Sequence, residues 1–468
     1  MNKQQDTETN DTSDTIARRQ ERDDLIDQSL QRAMHCYAAR WLPIFGQQEG
    51  VSTSQYEHVS RECWRAMRRD ILKVVNRISY RSVLTLYLFG LTPVPRGISE
   101  EEEEDGISGL ICIQTALLQI QQLRQQLRSC QADVSEEIVW PDPGLGFGLR
   151  VNLSETYLKL ESRAHWAAVM WDTSSAMTLN IRSSLTSGLK GACMEPSWRV
   201  TRAFLVGSIP PQTEEWRKES FEFTDEIACE IISAAAICRI YTWRTITSLK
   251  EALRECVEDE AVDFAWDALL DALEIFKTTI YPLLNHCERQ LHFLGQAARL
   301  YWYETMLHYY LGILILVEAL ETARRPDFLS QITNTRLEAE HECFNVLKFG
   351  LESIYTVDEP SAGLNKASGS LLATGRRSTQ SISISFVAID PYLHHLIAAV
   401  RLMNKAIIRK YRRDDIKDET YTYLTSTLLR ALQHLPQCCK TVGVAKDSLQ
   451  ASLDKAEADF VADMSLSD

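Results

Sequence analysis

The chain has 468 residues, 45% hydrophobic and 24% charged, a globular composition able to bury one large core or two moderate ones. Its formal net charge of −14 works against tight binding to a phosphate backbone, which needs a basic face that neutralises phosphates. Gly 19 and Pro 13 are few for this length, while Leu, Ala, Glu, Gln and Arg recur in long stretches, so the sequence predicts a nearly all-α protein.

Residues 1–22, "MNKQQDTETNDTSDTIARRQER", are polar and acidic and predict disorder. They hold no apolar core of the kind a signal peptide needs, and their acidic residues argue against a mitochondrial presequence, which leaves the cytoplasm or nucleus as the expected compartment. Regular structure is expected from near Leu25, as one helical body over residues 23–356. Its helix-period apolar patterns fall at about 23–42, 57–91, 107–129, 154–178, 192–206, 214–257, 260–324 with breaks, and 332–356. Stop signals separate them: Pro43, Pro93, Pro95, "PDPGLGFG" at 141–148, Pro210 and Pro211, and Pro326. Residues 357–386 turn rich in Gly, Ser and Thr and read as a loop or linker, with a short strand as an option at its end. The C-terminal part, 387–468, predicts helices at about 391–412, 416–435 and 441–463 that pack on the main body. The most apolar run, "YYLGILILV" at 309–317, is too short to cross a bilayer, which takes about 20 apolar residues, and predicts a buried core helix.

The twelve cysteines, Cys36, Cys63, Cys112, Cys130, Cys193, Cys229, Cys238, Cys256, Cys287, Cys343, Cys438 and Cys439, contain no C-x-x-C pair and mostly sit in apolar stretches. They predict buried structural thiols.

One stretch concentrates the residue types of a nucleophilic triad: "RAHWAAVMWDTSSAMTLNIRSSL", 163–185. On a helix His165 and Asp172 share a face but lie about 10 Å apart along the axis, whereas catalytic partners need about 3 Å. Ser174 and Ser175 are no better placed, and no G-x-S-x-G elbow is present. The plainer expectation is an amphipathic helix with Trp166, Val169, Met170 and Met177 as its buried stripe.

"DDIKD" supplies Asp414, Asp415 and Asp418 in the D-D-x-x-D pattern with which helical terpene synthases hold magnesium. No N-D-x-x-S-x-x-x-E string follows it, so a solvated helix boundary is expected. The acidic run "SEEEEEDG" at 99–106 reads as an exposed loop ahead of a helix start. His394 and His395 are adjacent, diverge by about 100° on a helix, and make a poor ligand pair. "GLGFG" at 144–148 lacks the strand and remaining glycines of a dinucleotide fingerprint. The sequence therefore predicts no catalytic residue, metal or cofactor. The basic cluster Lys405, Arg409, Lys410, Arg412 and Arg413 is read either as cations favoured at a helix C-terminus or as a nuclear-import signal or phosphate contact.

Five stretches, taken in order, resemble the regulatory middle homology region of fungal zinc-cluster transcription factors. They are "RISYRSVLTLYLFGLTPVP" (77–95), "GISGLICIQTALLQIQQLRQQL" (106–127), "SRAHWAAVMWDTSSAMTLNIRSSL" (162–185) with Trp166 and Asp172, "FTDEIACEIISAAAICRIYTWR" (223–244) and "IDPYLHHLIAAVRLMNKAI" (389–407). The resemblance covers roughly residues 60–410. It implies an all-helical regulatory domain in a nuclear regulator of transcription by RNA polymerase II, of a metabolic or secondary-metabolite pathway. It also implies other regulators or a second copy as partners, and room for a small-molecule effector. The family's six-cysteine DNA-binding module is absent from these 468 residues, so direct DNA contact is not expected of this chain. Loss of the module, its encoding upstream of Met1, and action through a partner are the three alternatives. Two further readings are a helical magnesium-dependent prenyl-diphosphate enzyme using Asp414, Asp415 and Asp418, and a non-catalytic helical scaffold.

Overall fold

A computed structural model describes residues 2–46, 53–136, 155–185, 196–217, 223–358 and 381–467. Apart from one two-stranded antiparallel pair and one isolated bridge, the regular structure among the described residues is helical, so the chain is all-α as its composition predicts. The backbone sorts into two compact units, Met1–Gly46, Gly50–Ser187 and Cys438–Thr441 in the first, and Gln47–Glu49, Gly188–Gln437 and Val442–Asp468 in the second. The sequence reading has one body over 23–356. In the sequence Gly188 and Gly191 follow directly on the point of division.

The first unit is built on α1 (Asn2–Ala38), α2 (Thr53–Val74), α3 (Tyr80–Leu91), α4 (Gly109–Glu136) and α5 (Glu155–Thr178). Helix α1 runs through the N-terminal segment where no regular structure is expected. That segment is polar but carries the good helix formers Gln, Glu, Arg and Lys, and Gln20 Nε2 donates to Asp24 Oδ1 one turn on at 3.2 Å. The single helix expected over 57–91 is two. The chain restarts at Ser79, whose Oγ accepts the Ser82 N–H at 3.1 Å, a serine cap in a stretch with no Gly or Pro to announce it. Helices α3 and α4 meet almost backbone to backbone, and a Cβ placed on Gly109 would lie 3.1 Å from the Gly90 carbonyl oxygen. Around that contact Trp64, Met67 and Ile71 of α2, Leu86 and Phe89 of α3 and Leu117 of α4 form one buried apolar cluster. The "SEEEEEDG" run corrects its reading as a plain acidic loop. It forms a helical turn, Glu100–Glu104, because Ser99 Oγ accepts the Glu102 N–H at 3.1 Å, and Glu102 takes Arg65 in a two-point ion pair at 2.6 and 2.9 Å. The short return at 438–441 joins this unit through Arg96 N–H to Cys438 O at 2.7 Å and Lys440 N–H to Val94 O at 2.8 Å.

The second unit contains α6 (Pro196–Ala203), α7 (Asp225–Glu255), α8 (Asp259–Ile275), α9 (Tyr281–Gln290), α10 (Gln296–Thr322) and α11 (Thr333–Glu352). After these come the strands β1 (Ile354–Asp358) and β2 (Ser381–Ser385), then α12 (Leu393–Arg412), α13 (Asp418–His434) and, from its third residue, α14 (Lys440–Ser467). Helix α10 is the centre. It packs on α7, α11 and α12, and its apolar run 309–317 is buried throughout, as an all-round hydrophobic helix must be. Among the described residues no helix is long and apolar enough to cross a membrane. A Cβ on Gly312 would collide with the Trp243 indole, and one on Gly350 with the Tyr303 ring, so both glycines set how closely α10 is approached. Helix α12 packs on α10 and α11, and α13 on α11 and α12. Residues 359–380 of the Gly/Ser-rich segment lie outside the described residues. The strand considered at its end is β2, paired antiparallel with β1 in the register Ile354↔Ser385.

Candidate functional site

In the triad-like stretch, Asp172 is a structural carboxylate. It lies within the continuous helix α5, is 1% exposed, and its two oxygens gather the chain that follows the helix. Oδ1 accepts the Ser184 N–H at 2.8 Å, and Oδ2 accepts the Ser183 hydroxyl at 2.5 Å and the Leu185 N–H at 3.0 Å. Ser174 and Ser175 are buried on the same helix, and His165 is a further two turns towards its start. The expected apolar stripe needs correction. Trp166 is 39% exposed, and it is Trp171 that stacks on Tyr87 of α3, with ring centroids 3.5 Å apart.

The metal candidates separate in the same way. Asp414 and Asp415 are exposed in the turn between α12 and α13, Asp414 with φ of 59°, while Asp418 opens α13 and accepts the Tyr411 hydroxyl at 3.0 Å. The three carboxylates therefore share no helix face. Among the described residues no group of three or more His, Cys, Asp or Glu is placed to hold a metal ion. "GLGFG" lies outside the described residues. The ten described cysteines are free thiols, and burial pushes Cys36, Cys112, Cys238, Cys287 and Cys343 up to about 12, which keeps them protonated and unreactive.

Sequence reasoning missed a buried polar cluster at the centre of the second unit. Arg239 and Trp243 of α7, Glu304 and His308 of α10, and Asp390, Tyr392 and His395 at the start of α12 meet there. Arg239 has no acceptor atom, so its Nη1 donates to His308 Nδ1 at 2.8 Å. His308 then carries its own proton on Nε2, directed at His395 Nδ1 at 3.3 Å and 3.9 Å from Asp390 Oδ2. Trp243 Nε1 donates to the His308 carbonyl at 2.9 Å, and His395 stacks on Tyr392. Asp390 Oδ1 accepts the Tyr392 N–H at 2.7 Å, a carboxylate at the start of α12 where the helix dipole favours it. Burial, followed by the neighbouring Arg239 cation, holds His308 well below the usual imidazole range, and burial does the same to His395 with His394 and His308 adding to it. Burial raises Glu304 to about 6 against the opposing pull of Arg239. Arg239 and His308 are 69 residues apart in sequence and His308 and His395 are 87 apart, so no local motif joins them. The one readable signal was a charged or polar residue set inside an apolar stretch, such as His308 between Leu307 and Tyr309.

The basic cluster lies on α12, beside a groove of about 740 Å³ formed by α12, the end of α10, α13 and α14. Lys405 Nζ pairs with Glu321 at 3.0 Å, Arg409 with Glu321 at 3.0 Å and with Glu340, and Lys410 with Glu340 at 3.0 Å. Arg336 joins the same two glutamates, and Arg401, which the sequence reading left out, makes a two-point pair with Glu318 at 2.8 and 2.7 Å. Arg412 and Arg413 are exposed at the helix end. The cluster is thus a packed seam of α12 against α10 and α11 whose outer cations face the groove. A second, smaller pocket of about 350 Å³ lies between the π-helical turn Phe204–Ser208 and α7, lined by Ile209, Trp216, Ile231 and Leu283.

Comparison with known protein families, with curated proteins and with solved structures finds no match to this chain.

Proposed function

We propose that this chain is the helical regulatory part of a transcription regulator, acting in the nucleus on RNA polymerase II genes of a metabolic or secondary-metabolite pathway. The proposal rests on its resemblance to the middle region of fungal zinc-cluster factors. One observation supports it most: the polar residues of the resembling stretches are structural. Asp172 of the third stretch anchors the chain after α5, while Arg239 and Trp243 of the fourth meet Asp390, Tyr392 and His395 of the fifth in one buried cluster. A pattern that marks a shared helical body places its polar residues inside; a catalytic pattern directs them at a cavity.

The test is to tag the full chain fluorescently in its own host and to compare transcripts with and without the gene. Nuclear fluorescence together with changed transcript levels of a small, functionally related set of genes is the expected result. Exclusion from the nucleus with an unchanged transcriptome would end the proposal.

A further inference from the structure

We infer that the adjacent thiols Cys438 and Cys439 are a modification site, a dithiol that a hydroperoxide closes to a disulfide and a thiol reductant reopens. Both residues belong to the short return that joins the first unit, and both are buried, Cys438 4% and Cys439 1% exposed. Neighbouring side chains on an extended strand point to opposite faces. Here Cys438 lies in a turn and Cys439 in a bridge to Pro95, and the bend between them brings the two thiols within hydrogen-bond reach of each other. The backbone holds the pair from both sides, through Arg96 N–H to Cys438 O at 2.7 Å and Lys440 N–H to Val94 O at 2.8 Å. Lys440 Nζ adds an ion pair with Glu103 at 2.8 Å.

The two sulfurs are chemically unequal. As a thiol, Cys438 donates to the Arg40 carbonyl at 3.6 Å. As a thiolate it accepts from the Cys439 thiol, and this bond, aided by the Ser60 hydroxyl, outweighs burial and holds Cys438 below the usual thiol range. Cys439 is pushed up by the same hydrogen bond and by burial, so it keeps its proton when Cys438 has lost one. The pair therefore sets a nucleophile beside a resolving thiol, as in a peroxide-sensing site. At Cys112 and Cys343 burial is unopposed and pushes each thiol up to about 12. Lys440, directly after the pair, is half-buried, and opening of the two backbone hydrogen bonds admits an oxidant as small as a peroxide.

The Cys438 thiolate attacks the O–O bond. Its sulfur is oxidised to a sulfenic acid, and the departing hydroxide takes up the proton that Cys438 released and leaves as water. The Cys439 sulfur then attacks the sulfenic sulfur, forming the S–S bond, and its proton leaves with the hydroxyl as a second water. Two thiols have lost two electrons, and one peroxide has become two waters. Adjacent Cα atoms stand about 3.8 Å apart across a trans peptide, less than the roughly 4.4–6.8 Å that an unstrained disulfide spans. Ring closure therefore reshapes the 438–439 peptide, and the bonds to Arg96 and Val94 open with it. A strained disulfide is readily reduced, so the return forms again when a thiol reductant is supplied. The proposal rests on the first unit alone, whether or not the chain regulates transcription.

The test exposes the native full-length chain to dilute hydrogen peroxide, then quenches, unfolds and alkylates it. Trypsin cleavage after Arg430 and Lys440 releases "ALQHLPQCCK", which holds both cysteines and no other. The disulfide reads as loss of two hydrogens and of both alkylations, reversed by dithiothreitol. It is expected to form at least about tenfold faster than Cys112 or Cys343 is oxidised. Cys439→Ser stops at a sulfenic acid on Cys438 that dimedone traps, and Cys438→Ser leaves Cys439 a thiol; thermal melts coinciding with wild type show that both variants are folded. Amide exchange at Arg96 and Lys440 is expected to accelerate at least about tenfold in the oxidised chain. Oxidation of the pair no faster than of Cys112 and Cys343, a sulfinic acid in place of the ring, or unchanged exchange at Arg96 overturns the proposal.

Discussion

Asp172→Asn changes one atom and leaves the shape of α5 intact, so it isolates what the carboxylate does. In the wild type Oδ1 accepts from Ser184 N–H, and Oδ2 accepts from Ser183 and from Leu185 N–H. An asparagine keeps one acceptor and turns the other into a donor aimed at a donor. The Ser183 hydroxyl rotates to suit; the Leu185 N–H, fixed in the backbone, does not. A hydrogen bond to a charged group contributes about 1.5–3 kcal/mol, and a buried donor left unmade costs about 1–3 kcal/mol. The expected loss is roughly 2–4 kcal/mol for the segment 183–185, or about 30- to 1,000-fold in its opening equilibrium. Because the chain comprises two compact units, a global melt mixes two transitions, and local amide exchange is the cleaner measurement. Exchange at Ser184 and Leu185 is expected to accelerate by that factor in Asp172→Asn, and by about tenfold in Ser183→Ala, which removes a single hydroxyl donor. Exchange within about threefold of wild type in Asp172→Asn would show that the carboxylate does not anchor this turn.

Gly312→Ala forces a methyl group against the Trp243 indole, and an overpacked core costs typically about 1–3 kcal/mol; a thermal midpoint equal to wild type contradicts the contact. Glu340→Gln removes the 3% exposed carboxylate that takes Arg336, Arg409 and Lys410; because these cations are partly exposed and two of them keep Glu321, a loss of about 1–3 kcal/mol is expected, and an unchanged urea midpoint refutes the seam. Acidification destabilises the second unit. His308 and His395 are neutral in the fold and titrate near 6.5 when unfolded, so the unfolded state binds more protons as pH falls below about 6.5, and each contributes up to about 1.4 kcal/mol per pH unit. Glu304, raised to about 6, works in the opposite direction, adding stability as pH falls through 6 and offsetting part of the loss. Urea midpoints measured from pH 7.5 to 5 are expected to fall, with well under half of that fall in His395→Gln because Glu304 offsets most of what the remaining histidine contributes, and a flat wild-type profile contradicts the buried neutral pair.

The all-helical class, the core role of "YYLGILILV" and the stop ahead of Pro93 and Pro95 follow from period and propensity, which are local, whereas Pro43, expected to be a stop, lies in the first turn of a short helix, Leu42–Gly46. What escaped was either a weak local signal or a distant pairing. The break between α2 and α3 depends on one serine cap, and the helical turn at Glu100–Glu104 on another. Trp166 and Trp171 lie on opposite sides of the same helix, and only the position of Tyr87 decides which of them stacks. Arg239, His308 and His395 each look like an ordinary polar interruption until three helices converge, because residue type records the chemistry of a position and topology alone records its neighbours. The basic cluster was legible as a set of charges, whereas its division between Glu321, Glu340 and the groove was not, since those glutamates come from α10 and α11.

His308, His395, Tyr303 and Tyr309 are buried groups whose pKa values burial displaces far from the ordinary range, and none of them lines the α12 groove or the smaller pocket at α7. The α12 groove is lined by cations of α12 and by the apolar side chains Ile397, Val400, Ile408, Leu432 and Leu449. A buried polar network ties α7, α10 and α12 together on the inner side of α12, and a groove lies on the outer side of the same helix. A shift of α12 would disturb the His395–His308–Arg239 chain. The groove and the cluster share one helix, so a change in amide exchange at His308 on filling the groove, for instance by Ser448→Trp, would show that the two are coupled, and unchanged exchange would show that they are not.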